Sequence, residues 1–166
     1  MSVKNLYTKE AKDKIKEMAE SIDFAMMATD LKNTPFHTIP MSTKKVDDSG
    51  SIWFLSGKDS QHNSHINIFG DVHLTYSDPS SMEFLTVYGS AEINTEKVLL
   101  EEFYNKTDNN WFDGVNDPNL TAIKVKPEEA HYWEPKSGKF VALLKMGVGT
   151  VTGKKPDVSK EGDLKV

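Results

Sequence analysis

The first third of the chain has a pattern of apolar and polar residues that predicts one amphipathic helix followed by three strands. Thr8 stands where it could cap the N-terminus of the helix, and apolar runs at residues 24–29, 36–45 and 51–56 are separated by polar turns. Apolar residues recur at helical intervals at Ala11, Ile15, Met18, Ala19 and Ile22. This order predicts a helix and then a meander of strands.

The rest of the pattern adds further strands with two helices between them. A short helix is predicted over residues 60–69, and a third helix begins at a Thr95 cap. Gly89 indicates a bulge or bend within a long strand. Strands are predicted over 72–77, 84–93 and 120–126, Tyr132 and Trp133 are assigned to a seventh, and the type of the apolar stretch 140–151 stays open. Hairpin order without strict alternation of strand and helix predicts the α+β class, with an antiparallel β-barrel.

Composition and charge exclude several classes of protein. The chain has 166 residues, of which 37% are hydrophobic and 27% charged, so we expect a single domain over residues 1–153 and a flexible tail over 154–166. Its net charge of −5 and its lack of a basic cluster argue against nucleic acid as a partner. Without cysteines it can form neither disulfides nor thiolate metal sites. No segment resembles a signal peptide or approaches the roughly 20 apolar residues of a membrane span, so we expect a cytoplasmic protein without a membrane partner.

Several chemical motifs can be tested and set aside. Residues 147–153 resemble a dinucleotide-binding fingerprint, but the third glycine comes one residue late and too little chain follows. His62 and His65 stand three apart on a predicted helix and could share a metal ion, yet spacing offers no third ligand. We therefore expect surface or hydrogen-bonding histidines and no metal. No residue is assigned a catalytic role.

One anion site survives this test. Ser60 begins the short helix, where free backbone N–H groups and the helix dipole favour a phosphate, although serine is also simply a good N-cap. The strand before it, residues 53–56, could offer its backbone edge to a flat heterocycle, but core packing explains its aromatic residues equally well. The polar loop 107–119 carries Trp111 and Phe112, whose burial requires a partner.

Together, these features resemble the bacterial general stress proteins related to pyridoxamine 5'-phosphate oxidase. The resemblance covers residues 8–153, and the order of the motifs is more specific than any one of them. The motifs are Ile39-Pro40-Met41, Trp53-Phe54, the Ser60 helix, Gly89-Ser90-Ala91-Glu92, Trp111-Phe112-Asp113-Gly114, Asp117-Pro118 and Tyr132-Trp133. The resemblance implies a split β-barrel with flanking helices that binds FMN at the interface of a homodimer.

The resemblance also implies a role for particular residues. Ser60 and His62 would hold the phosphate of FMN, while Trp111 and Phe112 would reach across from the partner subunit. The isoalloxazine ring would be lined by Thr38, Ile39, Pro40, Met41, Phe54, Leu55 and Ser56.

Two positions depart from the family pattern. Ile39 stands where an arginine is common, and His62 stands where a phosphate-binding lysine is usual. Losing two charge-assisted contacts of about 1.5–3 kcal/mol each could weaken binding by a factor of roughly a hundred or more. Protonated His62 could restore part of the charge, and Lys58 or Lys44 could also compensate.

The leading hypothesis is an FMN-binding protein, either a flavin-dependent oxidoreductase of a small molecule or a flavin carrier in stress response. The alternative is a dimeric split barrel with an eroded flavin site that acts as a binding or interaction protein. A deazaflavin or haem is a third possibility for the ligand. Oxidation of pyridoxamine phosphate itself is disfavoured, because no Arg/Lys constellation provides a second phosphate site.

Overall fold

Most of the chain forms one ten-stranded β-sheet with three α-helices in a computed structural model that describes residues 2–137, 146 and 157–166. The strands are β1 (Ser2–Val3), β2 (Leu6–Tyr7), β3 (Phe24–Thr29), β4 (His37–Ser42), β5 (Lys45–Val46), β6 (Ile52–Gly57), β7 (Asp71–Asp78), β8 (Glu83–Asn94), β9 (Leu120–Pro135) and β10 (Ser159–Lys165). The helices are α1 (Thr8–Ile22), α2 (Gln61–Ile68) and α3 (Lys97–Phe103), and a 3-10 helix spans Lys106–Asn110.

The long strand β9 organises the sheet. The main path runs β1-β10-β9-β8-β7-β3-β4, while β2 pairs with β10 and β6 pairs with both β5 and β9. Residues 120–125 of β9 pair with β6, and residues 129–135 pair with β10. Pairing is antiparallel except where β1 and β2 run parallel to β10. The α+β class is confirmed, and the described strands form a sheet that does not close on itself.

Helix α1 covers one face of this sheet, as the pattern of its sequence predicts. Ala11, Ile15, Met18 and Ala19 are buried in the main hydrophobic core, and Ile22 packs against its margin. The predicted Thr8 cap is wrong, because no side chain caps this helix and Thr8 is its first residue, with a φ of 48°. The helix is therefore held by its buried face rather than by its cap.

Strand β6 separates two hydrophobic clusters. Ile52 and Phe54 lie in the main core beneath α1, whereas Trp53 and Leu55 face a second cluster. The buried members of the second cluster are Trp53, Leu55, Leu100, Phe103, Leu120 and Ala122. Because both faces of β6 are covered, its sequence is apolar without alternation.

Three further predictions can be compared with the structure. The bulge at Gly89 is confirmed by a shift of register between Tyr88 and Gly89, where an added Cβ would lie 2.2 Å from the Lys126 carbonyl oxygen. The Thr95 cap is wrong, since the N-cap of α3 is Glu96 and no side chain caps it. The sixth and seventh strands are one continuous strand, β9. The stretch 140–151 lies outside the described residues apart from residue 146.

The flexible tail predicted over 154–166 is wrong for its last part, because Ser159–Lys165 forms β10 within the sheet. The strand contributes only Leu164 to the main core, so its sequence carries little apolar periodicity. Gly162 permits the close approach of the N-terminal segment, since a Cβ there would lie 2.0 Å from the Lys4 carbonyl oxygen.

Candidate functional site

The start of helix α2 has the geometry of an anion site. Ser60 is the N-cap, in extended conformation, and its Oγ accepts a hydrogen bond of 3.2 Å from the Asn63 backbone N–H. The Ser60 hydroxyl can still donate its proton to a ligand. The backbone N–H groups of Gln61 and His62 belong to the first turn, which has no intrahelical acceptors for them. These donors and the helix dipole favour a negatively charged group here.

A buried polar network fixes α2 to the sheet. Ser56 Oγ donates to Asn63 Oδ1 at 2.7 Å, and Asn63 Nδ2 donates to Thr121 Oγ1 at 2.9 Å. Thr121 Oγ1 in turn donates to the Ser56 carbonyl oxygen at 3.0 Å. All three side chains are buried. The network positions the N-terminus of α2, and it turns the Ser56 side chain inward. No sequence motif identifies Asn63 or Thr121 as its members.

Beside this helix start, three histidines from two elements come together. His37 is the first residue of β4, and its ring lies 6.4 Å from the ring of His62, with the planes inclined by 15°. The rings of His37 and His65 lie 5.6 Å apart in an edge-to-face arrangement. His65 Nδ1 is 3.0 Å from the hydroxyl of buried Thr29. We call His37, His62 and His65 the histidine cluster.

Two nitrogens of the histidine cluster are buried and have no hydrogen-bond partner among the described residues: His37 Nδ1 and His62 Nε2. The His62 side chain is only 6% exposed, and such an unsatisfied polar atom costs about 1–3 kcal/mol. Burial, followed by the charges of His37 and His65, lowers the pKa of His62 below its usual value. His62 is therefore held neutral unless a negative group approaches.

These contacts revise what the sequence predicts for the histidines. The expectation of a surface or hydrogen-bonding residue holds for His65 but is wrong for His62, whose side chain is buried and whose Nε2 has no hydrogen-bond partner in the described part of the chain. Sequence spacing gives no reason to group His37 with these two, since it lies 25 positions before His62. Within the described part of the chain, no group of three or more His, Asp or Glu residues has a geometry that could hold a metal ion.

The residues predicted to line a ring divide into two sets. Thr38 and Pro40 are exposed on β4, and Ile39 is partly buried against the main core. The side chains of four others point into the interior: Met41, Phe54, Leu55 and Ser56. Strand β4 ends the order of the sheet, so one of its backbone edges is unpaired among the described strands. That edge, rather than the buried side chains, can meet the polar rim of a flat ligand.

The loop after α3 presents one aromatic and anchors the other. Trp111 is 73% exposed, whereas Phe112 packs on the second hydrophobic cluster of its own chain. The loop is tied down where Lys44 Nζ meets Asp108 Oδ1 at 2.5 Å, with both side chains largely buried. Lys44 is thus engaged in this ion pair, while Lys58 is exposed near the start of α2.

Comparison with known proteins places the chain in a family. The family model described as pyridoxamine 5'-phosphate oxidase like matches residues 10–157. Protein bli-3 of Neurospora crassa is 27% identical over 148 residues, which cover 82% of this chain and 71% of that protein. The chain therefore belongs to the pyridoxamine 5'-phosphate oxidase-like family.

Solved structures share its fold. A protein of Jannaschia sp. CCS1 described as a general stress protein 26 has a TM-score of 0.77 and 21% identity, covering 96% of this chain and 100% of that chain. The general stress FMN/FAD binding protein of Xanthomonas citri has a TM-score of 0.66 and 24% identity, covering 78% and 92%. In the described residues, no helix is long and apolar enough to cross a membrane.

Proposed function

We propose that this chain is a cytoplasmic FMN-binding protein of the general stress type, built as a split β-barrel whose ligand site is shared by two subunits. The observation that carries the proposal is a pair of buried imidazole nitrogens, His62 Nε2 and His37 Nδ1, beside the Ser60-capped start of α2, which have no hydrogen-bond partner among the residues that the structure describes. A phosphate oxygen could accept hydrogen bonds from these imidazole rings and from the backbone N–H groups of the first turn of α2. The name of the Xanthomonas citri relative, a general stress FMN/FAD binding protein, supports a flavin as the ligand.

Each part of FMN has suitable groups on this chain. Ser60, the first-turn N–H groups and His62 would hold the phosphate. The open backbone edge of β4 along Thr38, Ile39 and Pro40 would meet the polar rim of the ring. When bound, the flavin supplies hydride or electron transfer chemistry, and the protein contributes orientation, electrostatics and access. A flavin-dependent oxidoreductase acting on a small molecule is the activity we propose.

A homodimer would complete the site. Trp111 is exposed, and it is not among the residues that pack on either hydrophobic cluster of the described part of the chain. Phe24, Met26 and Phe84 are also exposed, on the face of the sheet opposite the main core. Burying these apolar side chains between two copies would remove apolar area from water. Trp111 of one subunit would then cover the flavin ring held by the other.

Fluorescence titration of FMN tests the proposal. We expect the unmodified chain to quench FMN fluorescence, and the double variant Ile39→Arg with His62→Lys to bind more tightly because both restore charge at the phosphate. Gln61→Lys is the matched control, since it adds one charge to the same turn on an exposed side chain. If neither the unmodified nor the charge-restored protein binds FMN while both remain folded by circular dichroism, the proposal is wrong.

A further inference from the structure

The histidine cluster unites three titratable rings around the helix start. His37 comes from β4, and His62 and His65 come from α2, so the cluster joins two elements that the hairpin β3–β4 brings side by side. His65 Nδ1 is taken by Thr29, which leaves Nε2 as the atom that can meet a ligand. Together with His37 Nδ1 and His62 Nε2, this gives each of the three rings one nitrogen that can contact a ligand.

The charged side chains in the segments next to the cluster are of both signs. The groups that act on His62 electrostatically are His37 and His65, both of which are cationic when protonated. In the turn after β3, the Asp30 carboxylate accepts a hydrogen bond from Asn33 Nδ2 at 2.7 Å. Lys32 in the same turn lies over the Phe69 ring. Lys58 and Asp59 precede α2 with exposed side chains of opposite sign.

Protonation and anion binding at these rings must be linked. Without a ligand, protonation of His62 is opposed by its burial and by the charges of His37 and His65. A phosphate dianion reverses this, since it stabilises the charged form of every ring that it contacts. Binding therefore takes up protons, and affinity rises up to about tenfold per pH unit for each proton taken up.

We propose that His37, His62 and His65 form a single phosphate-ester site that takes up protons with its ligand, so that FMN is held at mildly acidic pH and released at alkaline pH. This inference rests on the proposed FMN function. The phosphate then contacts His65 as well as His37 and His62, and the affinity of the protein for the flavin depends on pH.

The test compares FMN with riboflavin, which has the same ring and no phosphate. We expect the dissociation constant of FMN to fall about tenfold or more between about pH 8 and about pH 6, while that of riboflavin changes less than about twofold. His37→Gln and His62→Gln should flatten the FMN profile. His131→Gln is the control, because His131 lies away from the cluster, bonded to Asp163.

A flat FMN profile, or parallel profiles for the two flavins, would overturn the inference while leaving FMN binding itself intact. A second measurement covers the case in which no flavin binds. Inorganic phosphate added near pH 7 should move the NMR signals of the three clustered rings toward the imidazolium form and leave His73 and His131 unchanged. Such shifts without flavin binding would support the anion site and refute the proposed FMN function, whereas unshifted signals would refute the anion site.

Discussion

His62 and Asn63 are neighbours in helix α2, and both are buried, yet their polar atoms have opposite surroundings. The side chain of Asn63 is 1% exposed and exchanges hydrogen bonds with Ser56 and Thr121. The side chain of His62 is 6% exposed, and its Nε2 has no partner in the described part of the chain. The polar atoms of Asn63 thus find hydrogen-bond partners within the described fold, whereas Nε2 of His62 does not.

We interpret this difference as that between a residue that maintains the fold and one that contacts the ligand we propose. Buried polar groups in native proteins are nearly always satisfied, so an exception requires a reason. Here the exception lies one residue from a satisfied network, beside an N-cap that favours anions. Where a native protein leaves a buried polar group without a hydrogen bond, the group is expected to lie at a functional or strained site. We therefore expect substitutions at the two positions to have different consequences.

Asn63→Ala should have the largest effect on stability. It removes the amide that joins Ser56 to Thr121 and leaves hydroxyl groups buried with fewer partners, at a cost of about 2–3 kcal/mol. The free energy of unfolding in urea measures this. Asn67→Ala, at an exposed position of the same helix, should change it by less than about 0.5 kcal/mol. Equal losses in the two variants would show that the network does not hold α2.

The two aromatic residues of the loop after α3 are expected to differ in the same way, with Phe112 contributing to stability and Trp111 to FMN binding. Phe112→Ala should lower the free energy of unfolding by about 1–2 kcal/mol, because the ring packs on the second hydrophobic cluster. Trp111→Ala should leave stability nearly unchanged but weaken FMN binding, since the ring is exposed in the single chain. Unfolding curves and FMN titration of both variants measure this. Unchanged FMN affinity in folded Trp111→Ala would remove Trp111 from the site.

His62→Leu should weaken FMN binding about tenfold, equivalent to about 1.4 kcal/mol, at a pH near 6. It should leave the free energy of unfolding near pH 8 unchanged or slightly raised, because an apolar side chain replaces an unsatisfied polar one. Titration and urea unfolding of the same preparation measure both quantities. A large loss of stability with no change in affinity would mean that His62 serves packing.

The smallest expected effect is the change in the free energy of unfolding with pH in the absence of ligand. The pKa of His62 is lowered in the folded chain, so the unfolded chain binds the proton more readily. The unmodified protein should therefore lose stability as pH falls below the ordinary histidine range, and His62→Gln should lose less. Urea unfolding at a series of pH values compares the two slopes. Parallel slopes would mean that His62 is not held neutral.

Sequence predicts the parts of this molecule that rest on local periodicity. The buried face of α1, the bulge at Gly89 and the start of α2 at Ser60 all depend on residues within a few positions of one another. Strand β10 does not, because its place is set by pairing with β9, β1 and β2, and only Leu164 carries an apolar signal.

The residues of the candidate site divide in the same way: some are indicated by nearby residues in the sequence, and others are brought together only by tertiary contacts. His62 and Ser60 can be identified from the helix they begin, but His37 joins them only through the pairing of β3 with β4. Trp111 and Phe112 are adjacent and chemically alike, and composition cannot indicate which of them packs on its own chain. Burial decides it, since Phe112 contacts the second hydrophobic cluster and Trp111 does not.

The visible absorption spectrum of the protein shows whether the chain holds FMN through its phosphate. The protein is mixed with FMN near pH 6, free ligand is removed by gel filtration, and the spectrum is recorded beside a riboflavin control. We expect a flavin band that the protein retains with FMN and loses with riboflavin. A folded protein that stays colourless with FMN would contradict it and favour a barrel with an eroded flavin site that acts through binding partners.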